Sequence, residues 1–182
     1  VEIRARVKGI LKKVHFQEGV EVKAGDPLYD IDDREYKTSQ KKAVAELEKA
    51  KADIENWKAQ IDLAKADLKR ANQAASASAT AQTEVDKAKA TLGVNVAQLA
   101  AAEAGKDAAA AVVHTTEILL GYTDIRAPID GRISRTHVDQ GNLVGQAETT
   151  LLTTIVRVDE LYVYFDVPEP DLMAYQQALR HK

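Results

Sequence analysis

Gly9-Ile10-Leu11-Lys12-Lys13-Val14-His15-Phe16-Gln17-Glu18-Gly19-Val20-Glu21-Val22 returns later in the chain as Gly131-Arg132-Ile133-Ser134-Arg135-Thr136-His137-Val138-Asp139-Gln140-Gly141-Asn142-Leu143-Val144. Gly9, His15, Gly19 and Val22 reappear as Gly131, His137, Gly141 and Val144 at one fixed offset, the 122 positions that separate Gly9 from Gly131. Ile3 and Arg4 meet Ile125 and Arg126 at the same offset, and Leu11 meets Ile133. Both copies place apolar residues at near-alternate positions between glycine-bearing turns, the pattern of short strands. The intervening sequence is rich in Ala, Lys, Glu and Gln, with helical periodicity. The chain therefore reads as one small β module cut open, with a long helical hairpin in the cut. Such a design carries a contact surface far from a compact base and points to a spacer or adaptor.

The first copy continues through the turn Ala24-Gly25-Asp26-Pro27 into a strand over Leu28-Tyr29-Asp30-Ile31-Asp32. Gly19 and Gly25 are expected to supply positive φ or close backbone approach. From Arg34 to Ala75 there is no Pro or Gly. Leu47, Ala50, Ile54, Trp57, Ile61, Ala64, Leu68 and Ala71 alternate spacings of 3 and 4, a coiled-coil seam. A helix of this length is a rod of roughly 60 Å. The small polar run Ser76-Ala77-Ser78-Ala79-Thr80 is the break, and Thr80 or Thr83 is expected to cap the second helix. In that helix Val85, Leu92, Leu99, Val113 and Leu120 share one heptad position, with Lys106 filling the gap; the other seam position is mostly Ala. Gly93 and Gly105 each weaken it by about 1 kcal/mol relative to Ala.

Strand signals return after Gly121, with turns at Pro128-Ile129-Asp130-Gly131 and Gln140-Gly141-Asn142, and the module closes with Leu151–Val156. Leu161–Val167 alternates as a further strand, and Asp171–Leu179 reads as a short helix. One strand and one helix bury too little to stand alone, so this part is expected to open a second β domain. The expected division is 1–33, first half-module; 34–121, hairpin, with helices over about 34–75 and 83–120 and a tip at about 72–83; 122–156, second half-module; and 157–182, the start of the further β domain. The missing initiator Met marks a processed or excised chain as the expectation.

Composition narrows the function classes. The 182 residues carry a formal net charge of -3, so nothing electrostatic favours nucleic acid or an anionic membrane. Cysteine is absent, which excludes disulfides, thiolate metal sites and cysteine nucleophiles. No run approaches the ~20 apolar residues of a spanning helix. His15 and His137 are repeat equivalents and share a structural role in this reading, with no third ligand in sight; His114 and His181 have no partner at ligand spacing. Asp30, Asp32, Asp33 and Glu35 cluster where strand gives way to helix, lack the pattern of a calcium loop, and suit a helix N-terminus. Trp57 belongs to the seam. Nothing supports catalysis, a cofactor or a metal.

Residues 19–32 resemble the first half of a biotinyl/lipoyl-type domain, and Tyr122-Thr123-Asp124-Ile125-Arg126-Ala127-Pro128-Ile129-Asp130-Gly131-Arg132-Ile133 resembles the start of its second half. Lipoyl half, helical hairpin, lipoyl half, then Tyr162-Val163-Tyr164-Phe165-Asp166-Val167 is the order of the periplasmic adaptors (membrane fusion proteins) of RND-type efflux pumps. The resemblance implies an α+β fold: a biotinyl/lipoyl-like β-sandwich split by a long antiparallel coiled-coil hairpin, followed by the start of a β-barrel. It implies a non-enzymatic role in the periplasm, anchored to the inner membrane, between an inner-membrane RND transporter and a TolC-type outer-membrane channel. Self-association as a trimer or hexamer would place the hairpins side by side in a tube whose tips meet the channel. In the family a tip motif of Arg, Leu four later and Ser seven after that touches the channel. Arg70 fits the first position, while Ala74 and Ala81 stand where Leu and Ser would be. The alternatives are an adaptor of an ABC-type or type I secretion exporter and a lipoyl or biotin carrier. The carrier needs a modifiable Lys on a β-turn, and Lys37 falls instead on the expected helix.

Overall fold

The computed structural model describes residues 1–75, 82–146, 150–158, 166 and 168–170. Its elements run β1 (Glu2–Arg4), β2 (Gly9–Val14), β3 (Glu21–Val22), β4 (Pro27–Ile31), α1 (Arg34–Ala75), α2 (Gln82–Gly121), β5 (Asp124–Arg126), β6 (Gly131–Ile133), β7 (Leu143–Val144) and β8 (Leu151–Val156). The strand expected over Leu161–Val167, apart from Asp166, and the helix expected over Asp171–Leu179 lie outside the described residues.

The strands form two four-stranded sheets, ordered β1-β8-β6-β3 and β5-β4-β2-β7. Exchanging β1 with β5, β2 with β6, β3 with β7 and β4 with β8 turns one sheet into the other. The sequence repeat is thus a pseudo-two-fold axis, and each sheet takes two strands from each half. The pairing obeys the same exchange. Gly9 lies opposite Val144 in one sheet, and Val22 lies opposite Gly131 in the other. Leu11 pairs with Ile31, and Ile133 with Ile155. The Gly141 N–H donates to the Leu11 carbonyl at 2.8 Å, and the Gly19 N–H to the Ile133 carbonyl at 3.0 Å.

A single apolar core fills the space between the sheets. Leu11, Leu28, Tyr29, Ile31, Ile133, Val144, Leu152 and Ile155 are its fully enclosed members. Tyr29 keeps its phenol satisfied inside, 2.9 Å from Thr136 Oγ1 and 3.2 Å from the Leu152 carbonyl. Burial pushes that phenol above its usual pKa. Gly19 and Gly25 do adopt positive φ, at 76° and 92°. Gly131 serves close approach: a Cβ there would sit 2.5 Å from the Val156 carbonyl oxygen.

The two helices form an antiparallel pair. Along α1 every residue withdrawn from solvent, from Tyr36, Gln40, Ala43 and Leu47 to Leu68, Ala71 and Ala75, falls on the alternating 4,3 spacing. Along α2 the same holds from Val85, Ala88 and Leu92 to Val113, Thr116 and Leu120, with Ala110 the one described exception. Trp57 sits half-buried on this seam. The second seam position carries Asn95 and Thr116 among its alanines, both buried. The cap expected at Thr83 is corrected: α2 already begins at Gln82, so Thr83 lies inside the helix. Thr80 lies outside the described residues.

Candidate functional site: mount, shaft and tip of the hairpin

Three parts of the hairpin bear on what it can do. The mount is the junction with the sandwich. The Asp32 N–H donates to the Ile10 carbonyl and the Ile31 N–H to the Thr123 carbonyl, each at 2.9 Å. The Tyr36 hydroxyl donates to the Lys8 carbonyl at 2.7 Å, tying the first turn of α1 back to the sheet. On the other side, the Thr123 hydroxyl donates to the Leu120 carbonyl at 2.7 Å and closes the end of α2. The Arg6 guanidinium stacks on Tyr122, 5.2 Å from the ring centre. Backbone bonds at both helix ends join the hairpin to the sandwich.

The acidic cluster belongs to this mount. Asp32 accepts the Arg34 guanidinium at 2.6 Å and the Arg34 backbone N–H at 3.1 Å, so it caps the opening turn of α1. Asp33 meets Lys37 at 2.6 Å, one turn along. Lys12 reaches over from β2 to both, at 3.2 Å and 3.3 Å. The Arg34 side chain, then its N–H, hold Asp32 well below the usual carboxylate range, and Lys37 does the same for Asp33. The Asp32 carboxylate in turn raises the Lys12 amine above its usual value. A carboxylate set neutralised by three cations is a structural clasp.

The shaft is the seam. The Asn95 side-chain amide crosses it to donate to the Gln60 carbonyl at 3.3 Å. A polar residue in a heptad seam specifies alignment, because sliding the helices leaves it without its partner. Outside the seam α1 carries exposed ion pairs three residues apart, such as Lys51 with Glu48 and Lys58 with Glu55, both at 2.8 Å. Pairs of this kind add only tenths of a kcal/mol each.

The far end of α1 carries two of the residues singled out in the sequence, Arg70 and Ala74. Arg70 is exposed and pairs with Asp67 of its own helix. Ala74 is exposed one turn further on. Ala81 lies outside the described residues. Arg70 and Ala74 therefore share the last two turns of α1, at the end farthest from the sandwich. Neither sequence-equivalent histidine sits there. His15 Nε2 lies 2.7 Å from Asp30 Oδ2, whereas the counterpart of Asp30 in the second half is Thr154. Among the described residues no group of three or more His, Asp or Glu is arranged to hold a metal. No described helix is long and apolar enough to cross a membrane.

A sandwich assembled from two half-modules, with a rod of two helices rising from the cut, is a scaffold that sets the end of the rod apart from its base. The description "RND MFP, barrel-sandwich hybrid domain" matches residues 1–156, and the chain belongs to this family of membrane fusion proteins, the periplasmic adaptors of efflux pumps. It is 37% identical over 172 residues to the efflux pump periplasmic linker BepD of Brucella suis biovar 1 (strain 1330), covering 94% of this chain and 40% of the relative. It is 33% identical over 178 residues to the multidrug resistance protein MdtA of Escherichia coli O45:K1 (strain S88 / ExPEC), covering 98% of this chain and 40% of that protein. The chain thus spans about 40% of the length of these curated relatives. Among solved structures it resembles MacA from Actinobacillus actinomycetemcomitans, with a TM-score of 0.78 and 29% identity, covering 85% of this chain and 48% of that one. The likeness to the MacA-MexA chimeric protein carrying the Pseudomonas aeruginosa MexA alpha-hairpin domain, at TM-score 0.57 and 23% identity, concerns the fold alone.

Proposed function

We propose that this chain is the central part of a non-enzymatic periplasmic adaptor that links an inner-membrane RND transporter to a TolC-type outer-membrane channel for the export of drugs or other small molecules. The observation that carries the reading is the rod of two helices, Arg34–Ala75 and Gln82–Gly121, rising from a single sandwich built on both sides of it. Its geometry suits bridging, and the names of the relatives, an efflux pump linker and multidrug resistance proteins, support transport as the setting.

In this reading residues 1–33 and 122–156 form the base, 34–121 the bridge, and 157–182 the start of a β-barrel nearer the inner membrane, to which the protein is anchored. The protein acts as a trimer or hexamer around the transporter. Arg70, Ala74 and Ala81 mark the height at which the channel is met, with Arg70 exchanging its Asp67 partner for one on the channel. The work is mechanical: the clasp of Asp32 and Asp33 with Lys12, Arg34 and Lys37 ties the rod to its base, and Asn95 keeps its two helices level. Affinity purification from native membranes after cross-linking tests this. Recovery of an RND transporter together with an outer-membrane channel is expected. An ABC-type transporter in its place would move the protein to that class of exporter, and recovery of neither would overturn the adaptor role.

A further inference from the structure

The sandwich ends in four edge strands, β1 and β3 in one sheet and β5 and β7 in the other. An edge offers a row of unpaired backbone groups to any extended chain, and folds ordinarily blunt it with shortness, proline or charge. β3 and β7 are two residues each, too short to template a partner. On β5 the Thr123 carbonyl accepts from the Ile31 N–H at 2.9 Å and the Ala127 N–H donates to the Asp26 carbonyl at 3.0 Å, so Asp124, Arg126 and Pro128 direct their backbone groups outward. Pro128 has no N–H, which stops this edge. β1 is the exception. The Val1 carbonyl accepts from the Ile155 N–H at 2.8 Å and the Ala5 N–H donates to the Thr150 carbonyl at 3.0 Å, so Glu2, Arg4 and Arg6 direct theirs outward. Under the repeat the counterpart of Pro128 is Arg6, which keeps its N–H.

The space beside this edge is a groove of about 560 Å³ between β1 and β5, with Ile3, Ile125 and Pro128 among its lining. No Cα of β1 comes within 8 Å of a Cα of β5, whereas paired strands lie ~4.8 Å apart, so the two edges do not bond across it. The charges along the groove are unequal. Glu2 neutralises Arg4 at 2.8 Å, and Asp124 neutralises Arg126 at 2.7 Å. Arg6 is left over. It is exposed, its guanidinium lies 5.2 Å from the centre of the Tyr122 ring, and among the described residues no carboxylate pairs with it. A guanidinium held over a ring in this way keeps its N–H fork for a carboxylate.

Two independent features thus define an occupant: an open row of backbone groups calls for an extended chain, and Arg6 calls for a carboxylate. We propose that the outer edge of β1 docks an extended, acidic segment of a partner protein, which adds a strand to the sheet beyond β1 and sets a carboxylate on Arg6. Strand addition takes its affinity from main-chain bonds, here at Glu2, Arg4 and Arg6, and its selectivity from side chains, here the one that meets the Arg6 guanidinium. The site lies on the sandwich and stands or falls apart from the adaptor reading.

The test uses the full-length protein and a labelled short peptide of alternating valine and glutamate. Two further peptides are the comparison: one with lysine for glutamate, and one with N-methylated amides, which cannot donate to the edge. Fluorescence anisotropy gives the affinity, and amide exchange read by mass spectrometry gives the location. The acidic peptide is expected to bind about tenfold tighter than either of the others, the worth of one charge-assisted hydrogen bond. It is expected to slow exchange over residues 2–6 and leave residues 123–127 unchanged. Arg6→Glu is expected to reverse the order of the acidic and basic peptides, a result that loss of folding cannot give. No binding, equal affinity for the acidic and basic peptides, undiminished binding of the N-methylated peptide, or protection of residues 123–127 in place of 2–6 would each overturn the proposal. So would slow exchange over residues 2–6 in the peptide-free protein that slows further as its own concentration rises, which would give the edge to a second copy.

Discussion

Gly131 is the position where the two sheets' equivalence can be tested by a single methyl group. Its counterpart under the pseudo-two-fold axis is Gly9, and both lie at the start of the strand next to the core. A Cβ on Gly131 would lie 2.5 Å from the Val156 carbonyl oxygen and 3.0 Å from the Ile155 Cγ2 methyl. The oxygen belongs to a strand held in the ladder with β6, where Arg132 lies opposite Val156, so it cannot retreat without loosening the pairing. A Cβ on Gly9 would lie 2.4 Å from the Ile31 Cγ2 methyl, which sits on a β-branched side chain enclosed in the core and has little room to retreat either. Overpacking of a filled interior costs about 1–3 kcal/mol. Gly131→Ala and Gly9→Ala are both expected near the top of that range, about 3 kcal/mol each. Urea unfolding read at two probes checks this: near-ultraviolet circular dichroism for the tyrosines of the sandwich, and fluorescence of the single tryptophan, Trp57, for the hairpin. A Gly131→Ala midpoint no lower than that of the unsubstituted protein would refute the close approach of β6 and β8.

The remaining expectations are more local. Gly93 and Gly105 lie inside α2 with open space where a Cβ would stand, so replacing either by Ala should stabilise the hairpin by about 1 kcal/mol, measured from the Trp57 transition; no gain would mean that these sites are not helical. Asn95→Ala removes the bond across the seam and should lower stability by about 1 kcal/mol while broadening amide exchange around Gln60; unchanged exchange there would show that Asn95 does not fix the alignment. Asp32 and Asp33 are held below the ordinary carboxylate pKa of about 4, so their contribution is complete above that pH and is lost as the pH falls through their depressed values. The urea midpoint should therefore drop on acidification below about pH 4, and drop less in Asp32→Asn; parallel curves for the two proteins would remove the clasp from the account.

Much of this architecture was written in two periodicities. The fixed offset from Gly9 to Gly131 predicted a module cut in half, and the first three strands of each half exchange between the sheets under that offset. The 3,4 spacing from Leu47 to Ala71 predicted a seam, and those residues are the ones withdrawn from solvent. Both signals survive because burial on one face constrains every turn of the pattern. The interleaving of the halves was not legible, since strand partners are a property of the assembled sheets. The correspondence also faded after Val144. Leu28 and Ile31 match Leu152 and Ile155, two residues further on than the earlier offset, because the turn before β8 is longer. Within that stretch Tyr29 has Thr153 as its counterpart, which hides the likeness although both are fully buried. Asn95 stands at a seam position otherwise filled mostly by Ala, where small size masks the polar exception; the heptad count from Val85 places its amide on the seam. The clasp was visible as charge and helix start, but its third cation, Lys12, comes from a strand that only the fold brings near. The tip motif was legible only as resemblance, with Arg70 present and Ala74 and Ala81 departing from it.

The most direct test of the bridging role is a photo-reactive amino acid in place of Arg70, irradiated in intact cells that express the protein with its partners. The account predicts a covalent product with an outer-membrane channel, lost when the photo-reactive residue is moved to the mount at Lys8. Irradiation that yields no channel product from the tip, or the same product from both positions, would contradict it.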